Sequence, residues 1–141
     1  MTTNNTPAQA SIPDSICQKH EQAALALRDC FADVIADLDT RADIYQVPDF
    51  CAEEEILKVF AEHLQRDTGL LQTACATADE FSIRRQGHSM EGMGGMVGFA
   101  VLSVVGAELC QSAKEHRWDH CTELAARLRR WCDTQAWPGV S

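Results

Sequence analysis

Among the five histidines of the chain, His88 has neighbours of the kind that support chemistry. On a helix at about 100° per residue, Arg84 and Glu91 lie one turn before and one turn after it, and Arg85 lies on its other flank. A neutral imidazole carries a nitrogen lone pair, so it can act as a nucleophile. The segment therefore predicts a nucleophilic histidine with both basic and acidic side chains nearby.

The apolar positions around His88 indicate how this helix would be oriented. With His88 at 0° on a helical wheel, the apolar and small residues occupy an arc from about 140° to 260°. This arc would face a core, so His88 would point into solvent. An idle surface histidine is the competing interpretation. The residues of the arc are Ile83, Gly87, Met90, Met93 and Gly94.

The glycines of the same segment weaken the idle interpretation. Each glycine in a helix interior costs roughly 1 kcal/mol relative to alanine, and the segment holds Gly87, Gly92, Gly94 and Gly95. A sequence that needed only a helix would avoid them. Gly87 and Gly94 would let a neighbouring helix approach closely. Gly92, one turn beyond His88, would leave the imidazole edge open to a bulky partner.

The spacing His88-x-x-x-Gly92-x-x-x-x-x-Gly98 resembles the signature of histidine phosphotransfer (HPt) domains, which is usually written His-x-x-Lys-Gly, five residues, Gly. The resemblance covers roughly residues 50–135. It includes a long helix with an acidic start before the histidine, an apolar helix after it, and an entry into the last helix at Trp118.

This resemblance implies a four-helix bundle that brings no catalytic machinery of its own. His88 would accept a phosphoryl group from an aspartate on a receiver domain and pass it to another receiver, with Mg²⁺ supplied by the receiver. Gly92 would give access, Gly98 would help the turn into the next helix, and Phe81 would contact the receiver. The implied partners are response-regulator receiver domains and a hybrid histidine kinase. The chain has no ATP-binding kinase motif, so we expect no kinase activity and no cofactor or metal of its own.

Glu91 departs from the family pattern, because it occupies the position of the usual lysine. A carboxylate there would repel an incoming phosphoryl group. Arg84 could substitute as a cation, it could be neutralised by other acids, or both Arg84 and Arg85 could be plain surface residues. The alternative function is therefore a non-transferring HPt-like adaptor that binds a receiver or a histidine kinase and uses Glu91 as a fixed negative charge.

The apolar spacing along the chain predicts an all-α fold without strands. Helices of this length with short connections favour an antiparallel bundle, here a four-helix bundle over about 50–135 with an additional N-terminal helix. We expect residues 1–13 to be disordered and residues 14–141 to form a single domain. The predicted helices cover about 15–40, 53–76, 79 into the glycine-rich stretch, 99–115, and 118 to just before Pro138, with a connection at 41–50.

Apolar stripes indicate which faces of the first two helices are buried. The first helix could cap the bundle or pair with a copy of itself, and we favour a monomer over a dimer. Its predicted stripe is Ala24, Leu27, Phe31, Val34 and Leu38. The predicted stripe of the second helix is Ile56, Phe60, Leu64 and Leu71.

Composition narrows the class of partner and the compartment. The 141 residues carry a formal net charge of −9, which disfavours binding to nucleic acid or an anionic membrane. The uncharged stretch 92–107 is shorter than the roughly 20 apolar residues of a membrane span. The seven cysteines are an odd number without a CxxC pair, and this pattern favours reduced thiols in the cytoplasm.

A weaker alternative is a thiol or metal sensor. His116 and His120 have the i, i+4 spacing found in zinc sites, and Cys110 could contribute a further ligand. Histidines at a solvated turn explain the same pair without a metal, and we favour that interpretation.

Overall fold

The computed structural model describes residues 14–47 and 53–135, with side chains described from Cys17 onward in the first helix. Within these ranges the chain is helical and contains no strand, which confirms the predicted all-α class. A 3₁₀ turn, Gly95–Val97, follows the fourth helix. The six α-helices of the described ranges are α1 (Asp14–Phe31), α2 (Leu38–Asp43), α3 (Glu54–Ala76), α4 (Glu80–Gly94), α5 (Ala100–Lys114) and α6 (Trp118–Thr134).

Helices α3 to α6 form the four-helix bundle. Connections of a few residues join them in sequence, so neighbours run antiparallel. Three aromatic rings meet in the core: Phe99 stacks on Phe60 with centroids 5.4 Å apart and meets Trp131 edge-on at 5.4 Å. Such offset and edge-on pairs add specificity to apolar burial. They tie the start of α5 to α3 and α6.

The N-terminal extension, residues 14–47, packs on this bundle. Helix α1 contacts α5 and α6, and α2 contacts α5. Leu27 and Phe31 are fully buried, and the Trp131 indole donates a hydrogen bond of 2.9 Å to the Ala23 carbonyl. The apolar face of α1 is therefore buried against its own chain. Of the two expected arrangements, capping the bundle and pairing with a second copy, this is the capping one.

The first helix is shorter than predicted, which corrects the continuous helix over 15–40. It ends at Phe31, and the chain turns before α2 begins. Arg127 of α6 donates to the Cys30 carbonyl at 2.9 Å and to the Asp33 carboxylate at 2.6 Å. A side chain distant in sequence therefore supplies a hydrogen bond to a carbonyl at the end of α1, where helical carbonyls lack a partner within the helix. Asp37 then adopts a left-handed conformation with φ of 57°, which aspartate tolerates better than most residues.

Of the predicted stripe positions, Val34 is partly buried and packs against the core, whereas Ile56 was wrong. Ile35, next to Val34, is more deeply buried, because the turn after α1 shifts the register. Ile56 is 49% exposed, and Leu57 takes its place in the core on a face that continues at Ala61.

The connection predicted at 41–50 needs a smaller correction, because α2 extends into it as far as Asp43. The predicted disorder of residues 1–13 lies outside the described residues, as do Pro48 and Pro138. Over the described ranges, no helix is both long and apolar enough to cross a membrane.

Candidate functional site

His88 lies in the middle of α4 with its side chain exposed. Asp79 caps this helix by accepting hydrogen bonds from the Ser82 amide at 3.1 Å and the Ser82 hydroxyl at 2.7 Å. Among the described residues, no group forms a hydrogen bond with the His88 ring. Both ring nitrogens therefore remain available to a partner, and the outward orientation agrees with the helical wheel.

Glycines bring α4 and α5 into backbone contact behind His88. A Cβ added to Gly87 would lie 2.7 Å from the Gly106 carbonyl oxygen and 2.9 Å from the Cys110 sulfur. A Cβ on Gly94 would lie 2.6 Å from the Ser103 amide nitrogen. Such distances are too short for real side chains, so the close approach predicted for Gly87 and Gly94 is present. Gly106 completes the crossing and was missed, because nothing in the sequence pairs it with Gly87.

Gly92 lies on the exposed side of the same helix. A Cβ at this position would have no atom within 4 Å. The surface one turn beyond His88 is therefore open, as the sequence predicts.

The end of α4 is held by a buried serine. The Ser103 hydroxyl donates to the Glu91 carbonyl at 2.7 Å and accepts from the Gly95 amide at 2.9 Å. The 3₁₀ turn then ends at Gly98, whose φ of 79° lies in the region that favours glycine. Gly98 thus lies at the turn into α5, where the family resemblance implies a turning role.

A groove of about 550 Å³ lies beside His88 between α4 and α5. Its α4 wall contains four other predicted site residues, whereas Gly92 and Gly98 are not among its lining. The α5 wall adds Lys114, which was missed because its place opposite α4 depends on the glycine crossing. The four α4 residues are Phe81, Arg84, Arg85 and Glu91.

The three cationic side chains of the groove differ in how closely they contact acidic or aromatic partners. Arg84 lies 3.3 Å from Glu80, so it is partly neutralised by an acid, one of the open alternatives. The Arg85 guanidinium lies 5.8 Å from the centroid of the Phe81 ring, a cation–π distance. Within the described ranges, no carboxylate lies within 4.0 Å of the Lys114 ammonium. The groove therefore has a net basic end around Arg84, Arg85 and Lys114.

Glu80 contacts both Arg84 of this basic end and His116 in the turn between α5 and α6. Its carboxylate accepts a hydrogen bond of 2.8 Å from His116, and this bond, together with Arg84, lowers the pKa of Glu80. The Glu80 carboxylate stays ionised and holds Arg84 in place one turn before His88.

The Glu91 carboxylate is held by the N-terminal extension. The Tyr45 hydroxyl donates a hydrogen bond of 2.7 Å to it, and both side chains are half-buried. This hydrogen bond and partial burial raise the pKa of Tyr45. No ion pair joins Glu91 to His88 in the described part of the chain. The acidic residue at the usual lysine position therefore makes its contact away from the imidazole.

The paired histidines of the turn before α6 are held by separate carboxylates. His116 binds Glu80 and stacks on Trp118 at 5.1 Å, whereas His120 lies 3.0 Å from Glu108. Among the described residues, no cluster of three potential ligands could hold a metal ion. The Cys110 thiol donates to the Arg84 carbonyl at 3.2 Å, and burial raises the pKa of this thiol.

The family model of the Hpt domain matches residues 55–134. The chain belongs to the Hpt domain family. Hpt domains are phosphocarriers of histidine phosphotransfer in phosphorelays rather than kinases. The matched range coincides with α3 to α6 and confirms the resemblance inferred over about 50–135, while α1 and α2 lie outside it. No match was found among curated proteins or among solved structures.

Proposed function

We propose that this Hpt domain is a phosphocarrier in a multistep His–Asp relay, with His88 as the phosphorylated residue. The observation that carries the proposal is the exposed imidazole, without a hydrogen-bond partner in the described chain, beside the open surface at Gly92. A ring nitrogen of His88 attacks the phosphorus of an aspartyl phosphate on a receiver domain. A nitrogen–phosphorus bond forms, the acyl phosphate oxygen–phosphorus bond breaks, and the aspartate leaves as a carboxylate. Transfer to a second receiver reverses these steps.

The groove supports this chemistry through charge and access. Arg84, Arg85 and Lys114 place positive charge near the incoming phosphoryl group, and charge-assisted hydrogen bonds to phosphoryl oxygens are strong. The Phe81 side chain is 73% exposed at the edge of the groove and offers apolar contact to a receiver. We assign Mg²⁺ and the acidic pocket to the receiver. A hybrid histidine kinase would supply the phosphoryl group at the start of the relay.

Phosphate labelling tests the site. The protein is incubated with a phosphorylated receiver and Mg²⁺, and label that is acid-labile and base-stable is measured. His88→Gln should abolish the label. His63→Gln removes another exposed helical histidine, on α3, and should retain it. Label that persists in His88→Gln would disprove the assignment.

A non-transferring adaptor is the second candidate, and the observation in its favour is Glu91 in place of the usual lysine. Such an adaptor would bind a receiver or a histidine kinase through the same groove. A receiver that binds measurably and yet never transfers label to the wild-type protein would select this candidate over the phosphocarrier.

A further inference from the structure

Tyr45 is fixed at the end of α4 by its backbone as well as by its hydroxyl. A Cβ added to Gly95 would lie 2.7 Å from the Tyr45 carbonyl oxygen, so the two segments touch directly. Helix α2, just before Tyr45, is held on α5 by Arg41, which donates to Glu108 at 2.9 Å. The Tyr45 hydroxyl therefore reaches Glu91 from a braced position.

Without that hydroxyl, Glu91 has a nearby alternative partner. Residues three apart on a helix are surface neighbours, with Cβ atoms about 5–6 Å apart. A carboxylate three residues after His88 can thus turn towards the imidazole and pair with it. In that position it would occupy a ring nitrogen and add negative charge where the phosphoryl group must arrive.

We propose that Tyr45 is a positioning residue that holds the Glu91 carboxylate away from His88. This inference rests on the proposed phosphocarrier function. It gives the N-terminal extension, which lies outside the matched Hpt range, a direct part in phosphoryl transfer. The extension compensates for the acidic residue at the usual lysine position by giving its carboxylate another partner.

Phosphotransfer from a receiver tests the inference in a double-mutant cycle. Tyr45→Phe keeps the ring and removes the hydroxyl, and should slow labelling of His88 by about two- to fivefold, the range for a surface ion pair. In a Glu91→Gln background, the same Tyr45→Phe change should leave the rate unaltered. Equal slowing in both backgrounds would overturn the inference, because it would show that Tyr45 acts through the fold alone.

Asp39→Asn is the matched control. Asp39 binds Arg28 of α1 at 2.7 and 2.8 Å, so its loss weakens another polar contact of the extension without touching Glu91. This variant should transfer at the wild-type rate. Slowing equal to that of Tyr45→Phe would overturn the inference, because any loosening of the extension would then suffice.

A second measurement separates this inference from the proposed function. At fixed pH, the ring ¹⁵N chemical shifts of His88 should change in Tyr45→Phe and stay unchanged when Glu91 is also glutamine. If the wild-type protein accepts no phosphoryl group, the phosphocarrier function fails while these shifts still report whether Tyr45 controls Glu91. Unchanged shifts in Tyr45→Phe would overturn the inference whatever the labelling result.

Discussion

Gly87 of α4 and Gly106 of α5 face each other so closely that a Cβ on either one would collide with the carbonyl oxygen of the other. This contact sits directly behind His88. Gly92, five residues after Gly87 on the same helix, meets nothing within 4 Å of its would-be Cβ. The two glycines of α4 therefore have different roles, and their substitutions should have opposite effects.

Alanine substitutions should separate packing from access. Gly87→Ala must push α4 and α5 apart, and we expect a loss of about 1–3 kcal/mol in the free energy of unfolding. Gly92→Ala adds a methyl group in open space and improves helix propensity, so we expect a gain of up to about 1 kcal/mol. Urea denaturation of both variants measures the difference. A destabilised Gly92→Ala would contradict the open geometry at this position.

A larger side chain at Gly92 should block the approach to His88 without harming the fold. We expect Gly92→Leu to slow phosphotransfer by about tenfold, since small misplacements at a reacting centre are costly. Labelling by a phosphorylated receiver measures the rate. A Gly92→Leu variant that folds normally and transfers at the wild-type rate would rule out the access role.

Arg84 should contribute to transfer through its charge. We expect Arg84→Gln to slow labelling about two- to fivefold, as for other exposed ionic contacts. Arg129→Gln is the matched control, because Arg129 also forms an exposed i, i+4 pair, with Asp133 at 3.2 Å on α6. The control should transfer normally. Equal slowing in the two variants would show that only the net charge of the protein matters.

Glu91→Lys restores the usual family residue and should speed transfer about two- to fivefold, because an ammonium near His88 attracts the phosphoryl group. Glu62→Lys makes the same change of charge at an exposed position on α3 and serves as the control. An unchanged or slower rate in Glu91→Lys would refute the view that Glu91 is a handicap.

Tyr45 is the single tyrosine of the chain, so its ionisation can be followed by ultraviolet absorbance. The hydrogen bond to Glu91 raises the pKa of Tyr45 above its ordinary value of 10.0. Glu91→Gln should therefore lower the midpoint of the absorbance change. Because the folded pKa is raised, the stabilising contribution is complete below about pH 10 and is lost as the pH rises through the folded pKa.

The same linkage can be measured by unfolding. The difference in unfolding free energy between the wild type and Tyr45→Phe should shrink as the pH rises above about 10. A difference that is constant across this range would exclude the hydrogen bond as its source.

The sequence was most informative where local periodicity decides the structure. The outward orientation of His88 and the burial of Ile83, Gly87 and Met90 follow from one helical wheel. The end of α1 could not be predicted in this way, because Arg127 donates to the Cys30 carbonyl from 97 residues away in sequence.

The surroundings of Glu91 could not be predicted either, because they too depend on residues distant in sequence. Its partner Tyr45 lies 46 residues earlier, and no periodic pattern connects the two. Lys114 joins the groove only through the antiparallel crossing of α4 and α5. The sequence thus indicated His88 as the candidate nucleophile, whereas the charged groups around it depend on tertiary contacts.

The backbone contact between α4 and α5 also bears on how a receiver would meet His88. Close-packed interiors resist deformation, and at Gly87 and Gly106 the nearest atoms across the crossing are backbone carbonyl oxygens, which have no rotamer to change. The helix that carries the His88 imidazole is therefore held rigidly against α5. Binding would proceed as a rigid-body fit with little ordering entropy lost on this side of the interface. Every receiver that exchanges a phosphoryl group with His88 would have to be complementary in shape to the same rigid face of α4.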